Sequence, residues 1–121
     1  MQRQPFTKLL IWQKAMDLVD AVYEATEDFP KTELFNLTSQ SRRSAVSIPS
    51  NIAEGSQRIS TKEFAQYILI AKGSLAELYT QIHIAQRRKI LAIEKGTKIL
   101  GLIDELSRMM FAFHKKLFTV H

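Results

Sequence analysis

Seven apolar residues, Phe64, Ile68, Ala71, Leu75, Leu78, Ile82 and Ala85, recur along one stretch of this chain in alternating steps of four and three. A repeat of 3.5 residues holds an apolar seam on one side of an α-helix and makes that helix one member of a left-handed bundle. A half-buried strand needs a period of two, and no such alternation occurs anywhere in the sequence. Ser60-Thr61-Lys62-Glu63 stands just before the seam. It fits a capping box, in which the Ser and Glu side chains satisfy each other's orphan amides at a helix start.

Three further segments have helical spacing. Leu9, Trp12, Ala15, Met16, Val19, Val22, Tyr23 and Thr26 advance by threes and fours, with Thr7 as the expected N-cap and Pro30 disfavouring helical geometry at Phe29. In the second segment Pro49 removes a backbone donor and crowds the carbonyl of Ala45, at about 3 kcal/mol in a regular helix. Ala45, Ile48 and Ile52 nevertheless stay in step across it, which predicts one continuous helix, kinked at Pro49 and ended by Gly55-Ser56. Leu100, Ile103, Leu106, Met110, Phe113 and Leu117 mark the buried side of the last helix, whose first turns Gly96 and Gly101 weaken. Gly73 costs the third helix about 1 kcal/mol, and we expect a neighbouring backbone to approach closely there. The resulting expectation is an all-α, antiparallel up-down-up-down four-helix bundle with helices at about 8–29, 36–57, 61–88 and 93–118, forming one domain of 121 residues.

One face of the second helix carries an ordered polar row, Gln40, Arg43, Ser47, Asn51 and Glu54, at intervals of three and four. If the second and third helices turn about Ile59, Arg43 falls within one turn of Glu77, Ser44 faces Ser74, and Asn51 lies near Tyr67. The expectation is an Arg43–Glu77 pair, with Gln40, Ser44, Ser47 and Ser74 completing a polar seam. Such a seam has three readings: a device that sets register and partner choice, a ligand or nucleic-acid site, or ordinary surface. Desolvation makes a buried pair weak evidence for stability, and register is its best-supported use.

The net charge of +5 is unevenly placed. Residues 17–33 hold six carboxylates, Asp17, Asp20, Glu24, Glu27, Asp28 and Glu33, against Lys31 alone, a net of −5, so the remainder of the chain carries +10. Arg87-Arg88-Lys89 is the tightest basic knot, followed by Lys95, Lys98, Lys115 and Lys116. This distribution suits a polyanion such as RNA or DNA, or the acidic face of one subunit meeting a basic face of the next, or simply solvated helix faces. The competing role is a protein scaffold offering Phe6, Trp12, Phe111, Phe113 and Phe118 to a protein partner.

Enzymatic chemistry finds little footing. Di-iron bundles use Glu-x-x-His, but Thr80 and Phe111 stand three residues before His83 and His114. With three scattered histidines and no cysteine, a zinc site is not expected, and no glycine loop for phosphate occurs. We therefore expect no metal, no cofactor and no catalytic residue. The N-terminus has no signal-peptide pattern and no segment is apolar enough to span a membrane, so a cytoplasmic address is expected.

Trp12-Gln13-Lys14-Ala15, Gln40-x-x-Arg43, Ser47-Ile48-Pro49-Ser50-Asn51-Ile52-Ala53-Glu54-Gly55 and Ile70-Ala71-Lys72-Gly73-Ser74-Leu75-Ala76-Glu77-Leu78 follow one another in that order. Over about residues 6–91 the chain resembles the bacterial four-helix bundle proteins encoded in intervening sequences of large-subunit ribosomal RNA genes. It is more distantly similar to the accessory protein of diversity-generating retroelements, a basic bundle that works with a reverse transcriptase and nucleic acid. The resemblance implies a homopentameric ring without established enzymatic activity. It implies structural or interface roles for Trp12, Arg43, Ser47, Asn51, Glu54, Ser74 and Glu77. Gln86 through Leu91 depart from the pattern, since relatives often place a glycine and an aromatic in this turn.

Overall fold

The structure, a computed structural model, describes residues 4–119. Helix α1 spans Leu10–Thr26, α2 Ser39–Ser56, α3 Thr61–Arg87 and α4 Ile93–Leu117, and among the described residues there is no strand. Neighbours in sequence are neighbours in space, α1 against α2, α2 against α3, α3 against α4, and α4 closes back on α1. Ion pairs from Lys95 to Asp28 and from Lys14 to Glu105 join the start of each of these two helices to a later part of the other, so α1 and α4 run antiparallel. This is the expected four-helix bundle. Its core includes Leu18, Val22, Ile48, Ile52, Ile68, Leu78, Ile82, Ile99, Leu106 and Met110, all fully buried. All seven residues of the 3.5-residue seam are buried.

The helix ends show where tertiary structure overrides local pattern. Thr7 is not the N-cap of α1: a 3-10 turn at Phe6–Lys8 precedes it and Leu9 takes the cap position. The carbonyl of Thr7 instead accepts a bond from Gln13 Nε2 at 3.0 Å. The second helix begins as a π-helical turn at Leu34–Thr38, and α2 then runs unbroken through Pro49 to Ser56. The two side chains just after the proline donate to the backbone, Ser50 Oγ to Val46 O and Asn51 Nδ2 to Ser47 O, each at 2.8 Å. Such back-bonding competes with the helical ladder and favours a bend, as the proline itself does. At the start of α3, Ser60 Oγ accepts from the Glu63 amide at 3.0 Å, which is the serine half of the expected capping box.

The turn after α3 reaches the geometry of a glycine cap without a glycine. The Ile90 amide donates to Ala85 O at 2.8 Å and the Lys89 amide to Gln86 O at 3.0 Å, a Schellman pair that closes the helix. Lys89 holds φ at 59°, the left-handed region that glycine adopts most readily. The sequence departure at this connection therefore leaves the motif intact and puts mild strain on one lysine.

Glycine also marks the close approach between α2 and α3, though at Gly55 rather than Gly73. A Cβ placed on Gly55 would lie 2.5 Å from the Tyr67 Cβ and 3.0 Å from Phe64 Cδ1. One placed on Gly73 would meet nothing within 4 Å, because Gly73 faces away from the bundle. The expectation of a close neighbour at Gly73 within the chain is corrected accordingly.

Candidate nucleic-acid and assembly surfaces

The polar row on α2 divides into inward and outward halves. Ser47 Oγ donates to Ser74 Oγ, with Ser74 buried and Ser47 half-buried, so this member of the expected seam bridges the hairpin. Ser44, expected opposite Ser74, is buried one turn away. The actual register is offset because Gly55 admits Tyr67 against α2. Tyr67 Oη donates to Glu54 Oε1 at 3.2 Å, so Glu54 rather than Asn51 partners Tyr67. Arg58 completes this clasp, reaching Glu54 at 3.1 Å and Tyr67 Oη at 2.5 Å. The charge interaction with Tyr67 is the main influence raising the Arg58 pKa; desolvation opposes it, and hydrogen bonds to Tyr67 and Glu54 add to the rise.

The charged part of the row does not pair as expected. Arg43 and Glu77 are both exposed, and among the described residues no ion pair joins them. Arg43 instead lines a groove with Tyr23, Leu34 and Val46 on the α1 side of α2, and where water stabilises each exposed charge a pair gains little. Gln40 is exposed too and donates to Asn36 Oδ1 at 3.1 Å, within its own helical segment. Asn51 serves the backbone beside Pro49. Trp12 is half-buried, edge-on to Phe6 at 5.6 Å, and lines a groove with Met16, Val19, Val46, Pro49 and Ala53.

The neighbouring arginine is the one the sequence reading passed over. Arg42 lies 4.6 Å from the centre of the Tyr23 ring and donates through Nε to Thr26 Oγ1 at 2.8 Å. It ties the end of α1 to the start of α2. Only helical phase separates Arg42 from Arg43, and the π-helical turn at Leu34–Thr38 shifts that phase.

The basic residues fall at two ends of the bundle. Arg87, Arg88, Lys89, Lys95 and Lys98 stand at the end where α3 finishes and α4 begins, all exposed. Lys115 and Lys116 lie in the last turn of α4, some 20 residues beyond Lys95 and hence about 30 Å away. They do not form one patch with the others. Lys95 is committed within the chain, donating to the Asp28 carboxylate. That hydrogen bond, and then the charge of Asp28 with lesser help from Glu24 and Glu27, raises the Lys95 pKa above its ordinary value. Among the described residues, Arg87, Arg88, Lys89 and Lys98 form no ion pair.

The described residues contain no group of three His, Asp or Glu side chains placed to hold a metal ion. His83 packs against Tyr79 with ring centres 4.5 Å apart and the planes tilted by 57°, and its buried Nε2 has no hydrogen-bond partner among the described residues. No helix among the described residues is long and apolar enough to cross a membrane.

A four-helix bundle with a serine-bridged hairpin, a basic cluster beside the carboxylates of Asp28, Glu24 and Glu27 at one end, and no assembled catalytic cluster among its described residues, belongs with the small all-α bundle proteins. Residues 7–112 match the family model for the 23S rRNA-intervening sequence protein, and the chain belongs to that family. Its fold is similar to the crystal structure of a protein of unknown function from the S23 ribosomal protein family of Bacteroides thetaiotaomicron, with a TM-score of 0.78 at 20% identity. The match covers 88% of this chain and 99% of that one. No curated protein matches the sequence.

Proposed function

We propose that this protein is a non-enzymatic cytoplasmic module that assembles into a homo-oligomeric ring, a pentamer by family resemblance, and holds RNA or DNA through the basic cluster at the end of α3. The observation that carries this reading is the group Arg87, Arg88, Lys89 and Lys98, exposed together at one end of the bundle with no ion-pair partner among the described residues. Repetition of that group around a ring multiplies its charge. Contacts of this type go to phosphates, so binding is weakly sequence-selective and falls steeply with salt.

Gel-shift titrations with structured RNA and duplex DNA over rising salt test the proposal. It predicts binding at about 50 mM salt that is lost at a few hundred mM. Absence of any complex at the lower salt rejects it.

A further inference from the structure

We propose that the cavity beside the last turns of α4 binds a single-chain anionic amphiphile, a long-chain fatty acid, with its carboxylate at Lys116. The cavity arises from a mismatch between neighbouring helices. Lys14 pairs with Glu105 across antiparallel α1 and α4, so Leu10, the first residue of α1, falls opposite Met109. From there α4 runs on to Leu117, about two turns past the start of its neighbour. The chain ahead of α1 does not follow it. Leu9 is extended, with ψ at 129°, and the 3-10 turn at Phe6–Lys8 packs toward α2, with Phe6 edge-on to Trp12.

What remains beside α4 is a cavity of about 520 Å³, a size that suits a small molecule. Leu9, Ile11, Met109, Phe113 and Leu117 line it, and each is either in the core or packed against it. The cavity therefore opens directly off the apolar interior, and Leu10, 70% exposed, extends its apolar lining outward. An alkyl chain laid there removes apolar surface of both partners from water. Lys116, in the last turn of α4, supplies the one formal charge in the lining among the described residues.

Charge around the cavity sets the sign of the head group. Residues 4–16 and 106–119 contain Lys8, Lys14, Arg108, Lys115 and Lys116 and no carboxylate. Lys14 and Arg108 are held by Glu105 and Asp104, whereas Lys8, Lys115 and Lys116 form no ion pair among the described residues. The hairpin of α2 and α3 brings Glu54 and Glu63 to the same end of the bundle. Glu54 is tied to Arg58 and Tyr67, Glu63 follows Lys62, and neither carboxylate lines the cavity. The start of α1 and the finish of α4 carry opposite partial charges of about half a unit each, which largely cancel. The lysines thus decide the potential. An apolar wall with an ammonium group at one place matches a molecule that is apolar along its length and anionic at one end. A nucleic acid has no such apolar body, so this site is separate from the basic cluster at the end of α3.

Isothermal titration with dodecanoate below its micelle threshold, on the parent protein in the assembly it adopts, tests the site. The proposal expects saturable binding of a single molecule per chain, weakened about tenfold for decanoate, whose chain is shorter by two methylenes. Dodecyltrimethylammonium, with the same chain and the opposite charge, should bind less well than dodecanoate. Lys116→Gln should weaken dodecanoate about fivefold, while Lys115→Gln, at a lysine outside the lining, binds like the parent. Ala112→Trp places a ring in the cavity from an exposed helix position and should abolish binding with the thermal midpoint kept. Absence of saturable binding to the parent overturns the proposal. So does equal affinity for the two amphiphiles, an equal loss in Lys115→Gln and Lys116→Gln, or undiminished binding by Ala112→Trp. A parent that binds no dodecanoate and loses its oligomeric state on Ala112→Trp gives the cavity to a second copy of the chain, and overturns it as well.

Discussion

The hydroxyls of Ser47 and Ser74 meet between α2 and α3, and their hydrogen bond fixes which residues of the hairpin stand opposite one another. Ser74 is buried, so losing either partner leaves a hydroxyl without its bond in a place water reaches poorly. Ser47→Ala and Ser74→Ala should each destabilise the fold by about 1 kcal/mol. The double variant should cost less than the sum of the two. Urea unfolding of the four proteins measures the coupling, and strict additivity would show that the two hydroxyls do not depend on each other.

Lys89 occupies the left-handed position of the Schellman turn with a side chain that disfavours it. Lys89→Gly should therefore stabilise the protein by about 1 kcal/mol, even though glycine generally loosens a chain. A raised thermal midpoint with an unchanged circular dichroism spectrum confirms this. A lowered midpoint would mean that the lysine side chain contributes more than its backbone strain costs.

Gly55 and Gly101 should respond oppositely to the same substitution. Gly55→Ala forces a methyl group against the Tyr67 Cβ and Phe64 and should cost about 2 kcal/mol or more. Gly101→Ala, in open space on α4, should gain up to about 1 kcal/mol. Chemical denaturation of both variants reads the contrast directly, and equal effects would contradict the close approach of α2 and α3.

Much of this architecture could be read before any coordinates. Apolar spacing located all four helices, Ser60 and Glu63 announced the start of α3, and the register of Ala45, Ile48 and Ile52 carried α2 through Pro49. The hairpin register escaped because it depends on a contact between residues distant in sequence. Gly55 leaves room for Tyr67, and Tyr67, Glu54 and Arg58 then lock the two helices at an offset that no local pattern specifies. Asn51 looked like a seam residue but serves the backbone beside the proline. The cationic residues could be named from composition, whereas their separation into two ends required the helix lengths and the turn between α3 and α4.

The Lys95–Asp28 pair predicts a pH effect of definite sign. Its folded-state pKa is raised, so the contribution is complete below the unfolded lysine value and disappears as pH climbs through the folded value. The pair is exposed and its effect should shrink with added salt. Comparing the parent with Lys95→Gln by thermal melting at neutral and strongly alkaline pH should show a gap at neutral pH that narrows on the alkaline side. A gap that widens there would reverse the assignment.

The account turns on one end of the bundle being the nucleic-acid surface. Fluorescence anisotropy with a labelled structured RNA, repeated over a salt series, compares charge reversal at Arg88, Lys89 and Lys98 with reversal at Lys115 and Lys116. The first variant should lose most of its affinity and flatten the salt slope by roughly one per phosphate contact removed, while the second binds like the parent. Equal losses in both variants, or a loss confined to Lys115 and Lys116, would contradict it.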